Sequence, residues 1–261
     1  MNGFRKTIKK QLHINLKTLA VIGGNGMVGS DLVKNMDSNF SVTSISKENY
    51  SEFIDKSFDV LVNANGNSKR FWANKNVLED FSISTASVYK SLFDFKFTAY
   101  IYISSSDVYV NHSNSQFTIE DQFQDSAKLS SYGLHKYLSE EIIKNNCKNY
   151  IILRSSMILG QNLKKGPIFD ILNKKALFIS ESSRLQMINS KEVASVITFL
   201  INKKIKNETF NIGGIGIVDF EKIQTYFSTP VSFQDKAETQ IYEMNVSKLN
   251  KIFPLKSSET Y

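Results

Sequence analysis

Apolar positions along this chain follow two alternating rhythms. Short continuous runs such as Leu19-Ala20-Val21-Ile22, Val60-Leu61-Val62 and Tyr100-Ile101-Tyr102-Ile103 are rich in β-branched and aromatic residues, the pattern of strands buried on both faces of a parallel sheet. Between them lie longer stretches with helical spacing, including one from Asn76 to Leu92. Strand and helix in turn predict an α/β fold built on a doubly wound parallel sheet. The second strand is read over Phe40 to Lys47, and the strand beginning at Thr98 runs toward Tyr109. Patterning weakens from about Leu159 to Asn189 and again from about Asp219 to Tyr261, which predicts a small C-terminal lobe. The expected division is therefore 17–158 with 190–218 for the sheet domain, 159–189 with 219–261 for the lobe, and 1–16 as an N-terminal extension.

Composition narrows the class. A chain of 261 residues that is 41% hydrophobic supplies one sheet domain and a small lobe, and little more. The single Cys147 excludes an internal disulfide, and three scattered histidines offer no metal spacing. That cysteine usage, with no run near ~18 apolar residues and no signal-peptide core at the start, is read as a soluble cytoplasmic protein without membrane insertion. The net charge of +7 comes from lysines scattered among acids with no basic-aromatic module, so nucleic acid is not an expected partner. The stretch Phe4 to Ile14 is basic with some amphipathic spacing and is read as a loosely packed helix.

Three segments carry chemistry. In Gly23-Gly24-Asn25-Gly26-Met27-Val28-Gly29 an apolar strand ends in glycines and opens into a helix, the form of a turn that grips a pyrophosphate. Gly23 permits the tight turn, Gly26 lets the backbone approach the phosphates, and Gly29 allows helix and strand to pack closely. The second segment is Ser104-Ser105-Ser106, a row of hydroxyls at the carboxyl end of a buried strand, where ligands of open α/β sheets bind. The third is Ser131-Tyr132-Gly133-Leu134-His135-Lys136, which sets a phenol and an ammonium on one face of a helix. A neighbouring cation lowers a phenol's pKa from its ordinary ~10, suiting Tyr132 to proton transfer.

With Asp59 to Gly66, Leu153 to Gly160, Met187 to Ala194 and Asn211 to Gly214 following in order, the chain from Thr18 onward resembles the extended short-chain dehydrogenases/reductases, in the branch of nucleotide-sugar epimerases, dehydratases and ketoreductases. The resemblance implies a Rossmann-type sheet and a Ser105, Tyr132 and Lys136 triad, with Ser106 as the other register for the serine. Ser105 would hydrogen-bond the substrate oxygen, Tyr132 would exchange a proton with it, and Lys136 would hold the nicotinamide ribose. Asn25, Met27 and Val28 in the glycine loop, and Asn63, Ala64 and Gly66 after the third strand, would line the cofactor groove. Ser106, Lys164, Lys165 and Arg184 would meet a nucleotide-sugar substrate, the cations through its diphosphate. The chain departs from the family at Val110, at Asn65-Gly66 and at Ser155-Ser156, which bears on substrate rather than cofactor.

The second strand ends without the carboxylate that binds an NAD ribose. Ser46 and Lys47 stand there instead and suit a 2′-phosphate, so NADP(H) is favoured, with NAD(H) as the alternative should Glu48 take the carboxylate's place. The Asp-Glu pair that the resemblance expects in a dehydratase is replaced by Ser106 and Asp107. The resulting expectation is NADPH-dependent reduction of an NDP-4-keto-6-deoxyhexose in deoxysugar or surface-polysaccharide biosynthesis. An NAD-dependent 4-epimerase is the alternative, and a non-catalytic NADP-binding regulator a second. A homodimer through helices flanking the sheet is expected, as in relatives.

Overall fold

The computed structural model describes residues 16–227 and 231–261; the stretch Phe4 to Ile14 lies outside them. Six parallel strands form one sheet: β1 (Thr18–Ile22), β2 (Ser41–Ile45), β3 (Ser57–Asn63), β4 (Lys96–Ser105), β5 (Tyr150–Ser155) and β6 (Glu208–Ile212), in the spatial order β6-β5-β4-β3-β1-β2. The order reverses between β1 and β3, so a crevice opens beyond their carboxyl ends. Ile22 pairs with both Ile45 and Asn63, Asn63 with Tyr102, and Ser105 with Ser155, which brings the strand ends to one rim.

The continuous apolar runs now have their reason, because alternate residues serve opposite faces. Leu19, Val21, Val60, Val62, Ile101 and Ile103 pack under α1 (Met27–Met36) and α3 (Ser190–Asn202) through Leu32, Met36, Val193 and Ile197. Ala20, Ile22, Leu61, Tyr100 and Tyr102 face the other way, against Val88 and against Ile143 of α2 (Ser131–Asn146). The Rossmann-type architecture expected from the sequence is what the chain adopts.

The helix expected from Asn76 to Leu92 is present and continuous from Val77 to Asp94, widened at Ser82–Ala86 into a π-helical turn. The wide turn presses its backbone onto α2: Thr85 Oγ1 donates to the His135 carbonyl at 3.0 Å and Ser139 Oγ to that of Ser84 at 3.1 Å. β2 is also shorter than the Phe40 to Lys47 reading, since Ser46 leaves the ladder for Asn49, whose Oδ1 accepts its N–H at 2.7 Å.

A buried ion pair fixes α2 on the sheet. Arg154 of β5 grips Glu140 of α2 with Nη2 to Oε2 at 2.7 Å, both side chains almost fully buried. Ser104 Oγ donates to the same carboxylate at 2.5 Å, and Arg154 Nη1 donates to Tyr109 Oη at 2.9 Å. Every oxygen of this inward-facing carboxylate is thus engaged, the condition under which a buried charge is tolerated.

The lobe has its own apolar cluster of Ile171, Leu177, Ile179, Leu185, Met187, Val218, Phe220 and Ile223. Its three-stranded sheet sets Arg184–Leu185 between Val218–Asp219 and Ile241–Tyr242. Beyond it the chain returns to the main sheet, where Val246, Leu249 and Leu255 enter the large core. Part of the range read as lobe therefore packs on the sheet domain. No described helix is long and apolar enough to cross a membrane.

Candidate functional site

The glycine loop joins β1 to α1 as a tight hairpin of backbone. Gly23 and Gly24 N–H both donate to the Ile45 carbonyl, at 2.9 and 3.0 Å, and Gly26 N–H donates to that of Gly23 at 2.8 Å. Gly23 holds φ +80°, and a methyl at Gly29 would overlap the Gly23 carbonyl oxygen. The loop therefore closes on itself at Gly23 and Gly29, where no side chain fits, and leaves the start of α1 as a cradle with Asn25 and Gly26 exposed at its mouth and Met27 and Val28 half-buried. The loop after β3 closes the cradle's side, since a Cβ on Gly23 would stand 3.0 Å from Asn65.

On the other side of the crevice, α2 begins at a Ser130 cap whose Oγ accepts the Gly133 N–H at 3.2 Å. Gly133 passes so close to the turn after β4 that a methyl there would overlap the Asp107 carbonyl oxygen. That approach sets the Tyr132 phenol beside Ser105. Lys136, one turn on and buried, donates to the Ile103 carbonyl at 3.1 Å and lies 4.8 Å over the Tyr102 ring. A Cβ on Gly66 would stand 3.5 Å from its Nζ, so the loop after β3 and the lysine share the same rim. Ser105, Tyr132, Lys136 and Gly66 are brought together beside the cradle.

The charge on this group differs from the sequence expectation. Burial pushes the Tyr132 phenol up to about 12; Lys136 and Ser105 pull it down, while Asp107 and Tyr102 add to the rise. Desolvation outweighs the cation, and the phenol is a proton holder at neutral pH.

Residues 17–219 match the family model described as the RmlD substrate binding domain. The chain belongs to the RmlD family. The resemblance to extended short-chain dehydrogenases/reductases read from the motifs is thereby borne out. Among solved structures, a dTDP-4-dehydrorhamnose reductase from Bacillus anthracis in complex with NADP is 15% identical, with a TM-score of 0.71 over 94% of this chain and 95% of that one. Another from Clostridium acetobutylicum is 14% identical, with a TM-score of 0.74 over 93% and 96%. A UDP-glucuronic acid 4-epimerase from Bacillus cereus, in complex with UDP-glucuronic acid and NAD, is 18% identical, with a TM-score of 0.72 over 92% and 94%. A search of curated proteins by sequence returns no match.

Within this RmlD-family site, several sequence-expected residues take other places. Asn63 turns its amide into the core, donating to Tyr100 Oη at 2.8 Å and accepting the Asn65 N–H at 2.9 Å, so it shapes the groove loop from behind. Ser106 is buried within the turn and Ser105 is the half-buried hydroxyl that meets Tyr132. Lys165 is half-buried beside Asp107, Lys136, Lys69 and Arg70, and burial with the three cations pushes its amine down to about 8. Lys164 is exposed, and Arg184 is exposed on the lobe's middle strand. At the end of β2, Ser46 Oγ donates to Glu48 Oε2 at 2.5 Å, and that bond holds the Glu48 carboxyl below its usual range; Lys47 is exposed.

The structure also assembles residues that no motif signalled. Arg70 Nη1 meets Asp107 Oδ1 at 3.0 Å, and Tyr242 of the lobe donates to the same oxygen at 3.4 Å. His112 stacks flat on Tyr242 with ring centres 3.9 Å apart, its Nδ1 donating to the Ile241 carbonyl at 3.1 Å. Arg70, His112 and Tyr242 wall a cavity of about 340 Å³ between lobe and sheet. Among the described residues no group of three or more His, Cys, Asp or Glu is placed to hold a metal ion.

Proposed function

We propose that this chain reduces a nucleotide-linked 4-keto-6-deoxyhexose, with NADPH as reductant, in deoxysugar or surface-polysaccharide biosynthesis. The observation that carries this reading is the placement of Tyr132 with Ser105 and Lys136 at the sheet's rim, beside a glycine cradle. A phenol that keeps its proton at neutral pH is a donor to a carbonyl oxygen, the part a reduction requires. When bound, the cofactor supplies a hydride. Gly26 would let the backbone approach its pyrophosphate, with Gly23 and Gly29 holding the loop tight, Lys136 would hold its ribose, and Lys47 would face a 2′-phosphate. Lys165 would take the substrate's diphosphate, from the lobe side, with Arg184 farther out. The matches to dTDP-4-dehydrorhamnose reductases support the substrate class.

One observation favours a second reading, an NAD-dependent 4-epimerase. Glu48 stands ionised on Ser46 at the end of β2, where a carboxylate would accept hydrogen bonds from an NAD ribose. One assay separates the two: loss of reduced-nicotinamide absorbance with NADPH and a panel of enzymatically generated NDP-4-keto-6-deoxyhexoses, with product chromatography. Stoichiometric NADPH consumption and a new deoxysugar are expected. Isomerised sugar with cofactor retained by the purified protein would move the assignment to epimerase, and tight NADPH binding with no turnover would leave the regulator. Tyr132→Phe should lower kcat by at least about a hundredfold with NADPH affinity within about threefold; retained turnover refutes its role.

A further inference from the structure

Between Tyr132 and Lys136 on α2 lies a side chain that the proposed chemistry does not use. His135 Nδ1 meets Asp80 Oδ2 at 2.6 Å, with both side chains almost fully buried. A carboxylate only accepts hydrogen bonds, so it is Nδ1 that carries the proton. The other oxygen of Asp80 accepts the Ser84 hydroxyl at 3.3 Å. With its one proton committed there, Ser84 Oγ offers its lone pairs elsewhere, and one of them takes the Asn67 N–H at 3.3 Å. Hydrogen bonds thus converge on Asp80 from α2 on one side and from the loop after β3 on the other.

The surroundings hold this chain in place. Asp80 and Ser84, four positions apart, share one face of their helix. Ser84 and Thr85 lie in the π turn, a geometry that recurs at functional sites, and both are buried against α2. The Ser84 carbonyl accepts Ser139 Oγ, and Thr85 Oγ1 donates to the His135 carbonyl. On the loop, Gly66 holds φ +121°, and a Cβ there would stand 3.3 Å from Ser84 Oγ and 3.5 Å from Lys136 Nζ. The Gly66 backbone is therefore packed between the serine that Asp80 holds and the lysine one position on from His135.

We infer that Asp80 is a positioning residue for the cofactor groove: held by His135 of α2, its carboxylate orients Ser84 to accept the Asn67 N–H and so sets the Gly66–Asn67 backbone beside Lys136. The inference rests on the proposed function for the ligand the groove takes, NADPH, whose ribose Lys136 would hold. Because His135 and Lys136 are neighbours on one helix, any shift of α2 carries the lysine and the loop together, and the width of the groove between them is kept.

The test follows the Asn67 amide and NADPH binding in the full chain. Ser84→Ala removes the link and leaves the His135–Asp80 bond in place, whereas Asp80→Asn keeps the shape and weakens the bonds by removing the charge. Amide hydrogen exchange is measured without cofactor, NADPH affinity by the fluorescence of the bound dinucleotide, and steady-state constants with the keto sugar. In Ser84→Ala, exchange at Asn67 should quicken and NADPH affinity should fall, each by about five- to tenfold, the size expected for one hydrogen bond. The amides of the sheet strands should keep their protection, and the kinetic loss should fall on the KM for NADPH. Asp80→Asn should move the same readouts the same way by less. Unchanged Asn67 exchange or unchanged NADPH affinity in Ser84→Ala overturns the inference. So does faster exchange across the whole sheet with Asn67 no more affected than the rest, the result for a pair that only stabilises the fold. Wild-type protein that binds no NADPH would sink the proposed cofactor instead, while the Asn67 exchange, measured without it, still decides the placement of Asp80.

Discussion

Lys165 shows how far a single side chain depends on its surroundings. As a sequence position it is one of two adjacent lysines with no distinguishing pattern, yet burial beside Lys136, Lys69 and Arg70 pushes its amine down to about 8 while Lys164 stays in solvent. Its charge is present below that pH and lost above it. If it holds the substrate's diphosphate, KM for the nucleotide sugar should rise as pH climbs through about 8, and Lys165→Arg, which cannot lose its proton in this range, should flatten the profile. A profile unchanged by that substitution would remove Lys165 from the substrate site. Tyr132 and Lys136 were legible because their relation is local, four positions on one helix. The raised phenol was not, because desolvation comes from strands and turns that the helix sequence does not contain. Asp107 escaped for the same reason: its partners Arg70 and Tyr242 lie 37 and 135 positions away.

Among the elements, α2 carries the most. Its cap, its buried Glu140 and its close pass at Gly133 all serve to seat the Tyr132 turn against β4. Helix propensity alone favours alanine over glycine by about 1 kcal/mol, so Gly133→Ala would stabilise an isolated helix. Here the added methyl meets the Asp107 carbonyl oxygen, backbone that cannot swing aside. We expect the clash to win, with a net loss of about 1–3 kcal/mol by denaturant unfolding and a fall in turnover. A gain in stability would show that the turn yields. The strands of the sheet were legible as apolar runs because both faces are covered, whereas the π turn within the helix after Asn76 was not. At that turn Thr85 Oγ1 donates to the His135 carbonyl and Ser139 Oγ to the Ser84 carbonyl, partners that lie across the interface with α2.

Taken as a whole molecule, the described surface carries a concentration of large apolar side chains on the helices after Arg70. Leu78 is 85% and Phe93 66% exposed, and Phe93 lies edge to face with Tyr89 at 5.3 Å. These residues support the proposed homodimer, and light scattering should give twice the chain mass, falling to one chain in Leu78→Lys with Phe93→Lys. A monomeric wild-type protein would refute it. The lobe was legible only as a loss of pattern, because strands of two or three residues carry too little periodicity to read. Those strands are drawn from three separated stretches, and between the second and third visits the chain builds the helix Phe220–Tyr226 before Tyr242 returns to Asp107. The lobe is therefore no detachable cassette. Exchanging it between relatives demands several simultaneous crossovers in the gene, and a recombinant joined at one junction would inherit an Asp107 turn whose lobe anchor belongs to a different parent.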